Sequence, residues 1–209
     1  MLSDMLSDHA PANRVSRRAP AGKGAGMRPA MLQCQLRCRL KRGCGMASPS
    51  TRVLIRPYRC EDLPRILEIT AEAFAGVSID YYLDQLFGDM GTTWQERKCA
   101  AVRADLEAHP DWHFVAELDG QVCGYVTCEL AHWKSLGRIV DLAVARDLRG
   151  RGIGRLLLER ALAFFREQGL RFAKIETLEP NTVGQRLYPS LGFREVVRQI
   201  HYTMRLDER

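Results

Sequence analysis

The sequence predicts an α/β fold, a mixed (α+β) sheet with helices packed on it, and three features of residues 51–209 lead to that reading. Runs of β-prone residues alternate with stretches of helical period. An Asp119-Gly120 pair joins two of those runs as a hairpin. A glycine-arginine stretch, Arg149-Gly150-Arg151-Gly152-Ile153-Gly154, links a strand to a long amphipathic helix.

In chain order, Val53-Leu54-Ile55-Arg56 reads as a short strand. A helix follows from about Leu63 to Phe74, with Asp62 as N-cap and Leu63, Ile66, Leu67 and Ala71 at helical spacing. Residues 76–91 are less patterned and fit either a helix or a loop. Thr93 and Glu96 stand at capping-box spacing before a helix over Trp94 to Ala108. The hairpin strands run from His113 to Leu118 and from Gln121 to Glu129, and a further strand covers Arg138 to Val144. From Ile153 to Gln168, the residues Ile153, Leu157, Ala161 and Phe164 form one apolar stripe, and Gly169 supplies the stop. Phe172 to Thr177 reads as a strand, Asn181 to Leu191 as a short helix, and two closing strands are expected around 195–197 and 200–206.

Composition narrows the function classes. Residues 1–50 hold nine Lys/Arg against Asp4 and Asp8, whereas residues 51–209 hold 22 basic and 23 acidic residues. The folded part is therefore nearly neutral, which argues against nucleic acid as a partner, because that partner selects a basic face on the folded domain. Residues 1–50 lack any apolar period and are expected to be a disordered basic tail. They fit either a transit peptide or sequence upstream of a start at Met27, Met31 or Met46, the second being the simpler reading. No apolar run approaches the roughly 18–20 residues that span a bilayer, so no membrane partner is expected. The seven cysteines show no metal-ligand spacing and no disulfide framework, so the expectation is no metal and a reducing, cytoplasmic setting.

The glycine-arginine stretch suits an anionic oxygen. A helix N-terminus presents unpaired N–H groups and a partial positive charge, and glycines at 150, 152 and 154 let a ligand approach the backbone. There is no Gly-Lys-Ser/Thr of a nucleotide loop, and Gly-x-Gly-x-Gly is not the dinucleotide Gly-x-Gly-x-x-Gly. A phosphate or pyrophosphate remains, with a surface turn as the bland alternative.

In this setting residues 51–209 resemble the GNAT superfamily of acetyl-CoA-dependent N-acetyltransferases. Arg149, Gly152 and Gly154 match its Arg/Gln-x-x-Gly-x-Gly/Ala signature, and Ile139 to Val144 resembles the family's fourth strand. A second segment, from Asn181 through Leu187-Tyr188 to Leu191-Gly192-Phe193, resembles its Asn…LeuTyr…LeuGlyPhe element. The resemblance implies a GNAT-like fold with a central splayed mixed sheet flanked by helices, and acetyl-CoA as cosubstrate. It implies that the backbone of Leu142, Ala143 and Val144 holds the pantetheine arm, and that the stretch Arg149, Gly150, Arg151, Gly152, Ile153 and Gly154 holds the pyrophosphate. Asn181 would bond the pantetheine or position its loop.

Acetyl transfer to an amine calls for a base and an acid. Tyr188 matches the family tyrosine whose hydroxyl points at the cofactor sulfur. Glu176, five residues before Asn181 and twelve before Tyr188, has a spacing similar to that of ribosomal-protein alanine N-acetyltransferases. Asp141 and Glu129 are the fallback bases. Gly184 stands where the family often has alanine, and Pro189, directly after Tyr188, is expected to end or kink the short helix.

The acceptor implied is a primary amine, of a small molecule or a peptide N-terminus, and a homodimer is compatible with the chain. Tyr81, Tyr82, Phe87, Trp94, Trp112, Trp133 and Tyr202 are candidate pocket aromatics. A non-catalytic acyl-CoA sensor is the alternative function, weighed down by the presence of both Glu176 and Tyr188.

Overall fold

A computed structural model describes residues 52–88 and 90–207. The expected tail at 1–50 lies outside the described residues. One five-stranded sheet, in the spatial order β1-β2-β3-β4-β5, organises the rest: β1 is Leu54–Pro57, β2 Phe114–Leu118, β3 Gln121–Ala131, β4 Leu136–Val144 and β5 Phe172–Ile175. The first three pairings are antiparallel and the last, β4 with β5, is parallel. The helices are α1 Leu63–Ala73, α2 Ile79–Phe87, α3 Trp94–Ala108, α4 Ile153–Glu167 and α5 Thr182–Leu187.

Local chemistry sets these boundaries. Thr93 Oγ1 accepts from the Glu96 N–H and Glu96 Oε2 accepts from the Thr93 N–H, which completes the capping box at the start of α3. The open stretch resolves as a helix because Ser78 Oγ accepts from the Tyr81 N–H and caps α2. Asp119 and Gly120 both have positive φ, 50° and 78°, the conformation of a two-residue hairpin turn whose twist matches its strands. Asp62 precedes α1 without capping it through its side chain. Its carboxylate instead accepts two hydrogen bonds from Arg56, at 2.7 and 2.8 Å, and one from the Arg59 N–H, tying β1 to α1.

Two apolar layers flank the sheet. α4 buries Leu157, Leu158, Ala161 and Phe165 against Phe114, Cys128 and Ile139 on one face. α1 and α3 bury Ile66, Ile69, Val102 and Leu106 against Val115, Tyr125 and Ala143 on the other.

The strand expected at 172–177 stops at Ile175, and the two closing strands expected at 195–197 and 200–206 do not form. Those residues have strand-like alternation, but a strand exists only where a neighbouring edge accepts its hydrogen bonds. As expected from Pro189, α5 ends at Leu187, and a 3-10 turn over Pro189–Leu191 follows. Among the described residues no helix is long and apolar enough to cross a membrane.

Candidate functional site

The site begins where the sheet opens. β5 pairs with β4 from Leu136↔Phe172 to Ile139↔Ile175, after which β4 runs on alone to Val144. At the same place β4 carries an extra residue against β3: Val126 faces Leu142 while Cys128 faces Ile139. The bulge, pinned by the Asp141 N–H donating to Thr127 Oγ1 at 2.9 Å, increases twist and carries β4 away from β5.

The open edge is made of backbone. The Ala145 N–H donates to the Cys123 carbonyl of β3, whereas the Val144 carbonyl turns outward and accepts from Arg149 Nε at 3.0 Å. By strand alternation Leu142 also directs its N–H and C=O into the gap, and Ala143 directs its own toward β3. At about 3.3 Å per residue, five residues offer an edge of roughly 16 Å.

That edge leads to the glycine cradle. Gly152 is the N-cap of α4 at φ 82°, Gly150 has φ 76°, and no side chain caps the helix. The first helical bond is Leu156 N–H to the Gly152 carbonyl, so the amides of Ile153, Gly154 and Arg155 have no partner within the helix. A methyl group at Gly154 would make only ordinary contacts, 3.6 Å to Leu187 and 3.9 Å to Val144. Packing therefore does not demand glycine there, and its effect is to leave the rim of the cradle low. Arg149 and Arg151 are exposed and bind local backbone, Arg151 Nη2 reaching the Asp147 carbonyl at 3.4 Å. An unpaired strand edge running into a side-chain-free helix N-terminus fits a pantetheine arm ending in a pyrophosphate.

This yields a direct expectation for Gly152→Asp. Aspartate tolerates positive φ and favours a helix N-terminus, so folding should change by about 1 kcal/mol or less. Its carboxylate would repel the pyrophosphate, and KM for acetyl-CoA should rise about 10- to 100-fold, ~1.4–2.8 kcal/mol. Steady-state kinetics beside a melting curve checks both halves.

The other end of the gap gathers charge. On the α1/α3 face, Arg138 of β4 pairs with Glu129 of β3 at 3.2 Å and with Glu176, just beyond β5, at 2.9 Å. Lys174 pairs with Glu176 at 2.8 Å. The Lys174 hydrogen bond, with Arg138 beside it, holds the Glu176 carboxyl below the usual carboxylate range. Asp141, buried on β4, is paired with Lys98 of α3, and its Oδ2 has no partner among the described residues. Burial and the nearby Asp141 charge push the Asp105 carboxyl up.

Tyr188 sits at the end of α5. Burial raises its phenol above the ordinary value, while the nearby Thr177 hydroxyl works the other way. Its ring lies edge-on to Phe193 with centroids 6.3 Å apart. A methyl group at Gly184 would come within 2.9 Å of the Tyr188 ring and hydroxyl and 2.8 Å of Asn181 Nδ2, so the tyrosine occupies the space that an alanine would take. Asn181 Oδ1 accepts from the Gly184 N–H at 3.0 Å and its Nδ2 donates to Thr177 Oγ1 at 2.9 Å, holding the loop between β5 and α5.

Thr177 thus brings Tyr188 beside the residue that follows Glu176. Asp141 and Glu129 lie on the same face, each held by a cation. Sequence reasoning missed Lys98, Asp105 and Arg138. Lys98 and Asp105 stand seven apart, two turns along α3, beside the buried Val102 and Leu106, a pattern visible in the sequence. Among the described residues no group of three or more His, Cys, Asp or Glu is placed to hold a metal.

A mixed sheet that opens between two parallel strands beside an anion cradle defines an acyltransferase that draws its acyl group from a CoA thioester. Residues 71–193 match the sequence model of the Acetyltransferase (GNAT) family, and the chain belongs to that family. That family is one of acetyltransferases, and the cradle and open edge fit acetyl-CoA as the donor. An uncharacterised N-acetyltransferase of Methanocaldococcus jannaschii is 26% identical over 147 residues, 68% of this chain and 60% of that protein. The chain thus matches three-fifths of that relative's length. A mycothiol acetyltransferase of Rhodococcus jostii is 26% identical over 223 aligned residues, covering 97% of this chain and 68% of its own. The fold is also that of the ribosomal-protein-S18-alanine N-acetyltransferase from Escherichia coli, with a TM-score of 0.53 and 19% identity over 70% of this chain and 80% of that one.

Proposed function

We propose that the chain acetylates the primary amine of a small molecule or a peptide N-terminus by direct attack, in the cytoplasm and as a homodimer. The observation that supports the catalytic assignment is that Glu176 stands at the end of β5, where the gap opens, with Asn181 tying the adjoining Thr177 to the start of the helix that carries Tyr188. The amine nitrogen bonds to the thioester carbonyl carbon and the C–S bond breaks. Glu176 takes the proton shed by the nitrogen as the C–N bond forms, and Tyr188 gives its proton to the departing thiolate. Backbone of Leu142, Ala143 and Val144, the amides from Gly150 to Gly154 and the loop set by Asn181 hold the cosubstrate, with Arg149 and Arg151 at its phosphates. Either acceptor class fits an open face lined by Glu129 and Glu176, because carboxylates attract an ammonium group.

The pKa directions set the pH dependence. Glu176, held low, is ionised throughout the neutral range and too weak a base to strip a free ammonium, so only acceptor that is already neutral reacts. The ascending limb of kcat/KM should therefore track the acceptor's own pKa, and the descending limb should lie above the ordinary phenol range because Tyr188 is raised. Two acceptors of different amine pKa test this. A limb that stays put when the acceptor changes assigns the titration to the enzyme and overturns this role for Glu176. Thiol release from acetyl-CoA across amines and N-terminal peptides, with Glu176→Gln alongside, tests the assignment directly. Loss of roughly 100-fold is expected in the variant, and full activity would remove Glu176 from the mechanism.

A further inference from the structure

The imidazole of His113 is buried, only 1% exposed, and the reaction described above does not use it. It stands between a 3-10 turn over Pro110–Trp112 and the start of β2. Both ring nitrogens are engaged: Nδ1 accepts from the Cys128 N–H of β3 at 3.1 Å, and Nε2 lies 2.9 Å from the Asp105 carbonyl of α3. A backbone amide can only donate and a carbonyl can only accept. The ring is therefore neutral and carries its proton on Nε2.

The ring stands in for a missing length of backbone. β2 pairs with β3 as far as Phe114↔Val126, and the residues before Phe114 curl into the 3-10 turn. Two positions along β3, the Cys128 N–H finds its acceptor in the ring instead of in a strand. Cys128 faces Ile139 of β4, and Ile139 faces Ile175, the last pair before β4 and β5 part. The neighbouring Thr127 holds the Asp141 N–H at the bulge. One row across the sheet thus runs from His113 to the point where the gap opens.

The surroundings give the ring no counter-ion. His109, at the end of α3, adds a charge that works against a second one here, and Asp105 contributes its carbonyl. The Tyr58 ring, beside β1, stands edge-on with centroids 6.4 Å apart. The Cys128 thiol of β3 is buried, its pKa pushed up to about 12. Among the described residues no carboxylate bonds the ring. A protonated ring would carry N–H on both nitrogens and turn one of them against the Cys128 N–H.

We propose that His113 is a positioning residue for the acetyl-CoA gap: its neutral ring fixes the row where β4 leaves β5, and its protonation in mild acid releases that row and weakens acetyl-CoA binding. This rests on the gap being the acetyl-CoA site and is independent of the roles of Glu176 and Tyr188. Burial lowers the ring's pKa from the ordinary histidine value. The unfolded chain therefore takes up the proton first, and stability declines as pH falls below that value. Affinity declines at the lower pH where the folded ring takes it up.

Calorimetric titration of the full chain with acetyl-CoA between about pH 5 and 7.5, beside nitrogen-15 spectra of the histidine rings, tests this. Nδ1 should show an unprotonated acceptor at neutral pH. In acid, Kd should rise about 3- to 10-fold with the midpoint of ring protonation. His113→Asn places an amide oxygen near the position of Nδ1, where it accepts from Cys128 without titrating. The variant should lose that limb, and any limb left in it belongs to the phosphate monoester of the cosubstrate, which titrates at about pH 6. The same limb in both proteins overturns the proposal, as does a ring that titrates away from the limb. So does a fall in the number of binding sites at constant Kd, because a merely structural role unfolds molecules without weakening those that remain. Should the variant fail to fold, the coincidence of ring protonation and binding in the unaltered chain decides. No binding at neutral pH removes the acetyl-CoA site itself, and this inference with it.

Discussion

Lys98→Met should lower stability by about 3–5 kcal/mol, the cost of leaving a buried carboxylate without its cation. Asp141 is almost fully buried, its side chain 3% exposed, and Lys98 supplies the charge that faces it. Its second oxygen already lacks a partner among the described residues, so nothing nearby can take over. The lysine also sits over the Phe74 ring, 4.7 Å from its centroid, a contact that methionine's thioether partly replaces. Urea midpoints of the two proteins at neutral pH measure the loss. A change below about 1 kcal/mol would show that water serves Asp141 as well as Lys98 does.

Tyr188→Phe should reduce kcat by about 100- to 10,000-fold while KM for acetyl-CoA stays nearly constant. The phenylalanine ring keeps the contacts with Gly184 and Phe193, so only the hydroxyl is lost. Stability should change by about 1 kcal/mol or less, because the ring packing is kept. This split separates a proton donor from a packing residue. A KM rise with kcat intact would assign Tyr188 to binding instead.

The glycine-arginine stretch was legible because its chemistry is local. Positive φ at Gly150 and Gly152 and an uncapped helix start follow from adjacent residues, and the same holds for the Thr93-Glu96 box and the Asp119-Gly120 turn. The residues around Asp141 were less legible. Lys98 and Asp141 are 43 positions apart, and nothing in either neighbourhood shows that α3 lies over β4. Glu176 was picked out by its spacing to Tyr188, but the cations that lower its pKa come from another strand and from its own.

The closing strands show the same division. The alternation at 200–206 is a property of the sequence, whereas a strand is a property of two edges. By itself the sequence determined the mixed α/β class, most element boundaries, the anion cradle and the family, all of which depend on side chains within a few turns of one another. Only the tertiary structure decided where β4 parts from β5, which cations hold Glu176 and Asp141, and that the last apolar run lacks an edge in its own sheet. Those features depend on contacts across tens of residues, and local conformational preference carries no record of them.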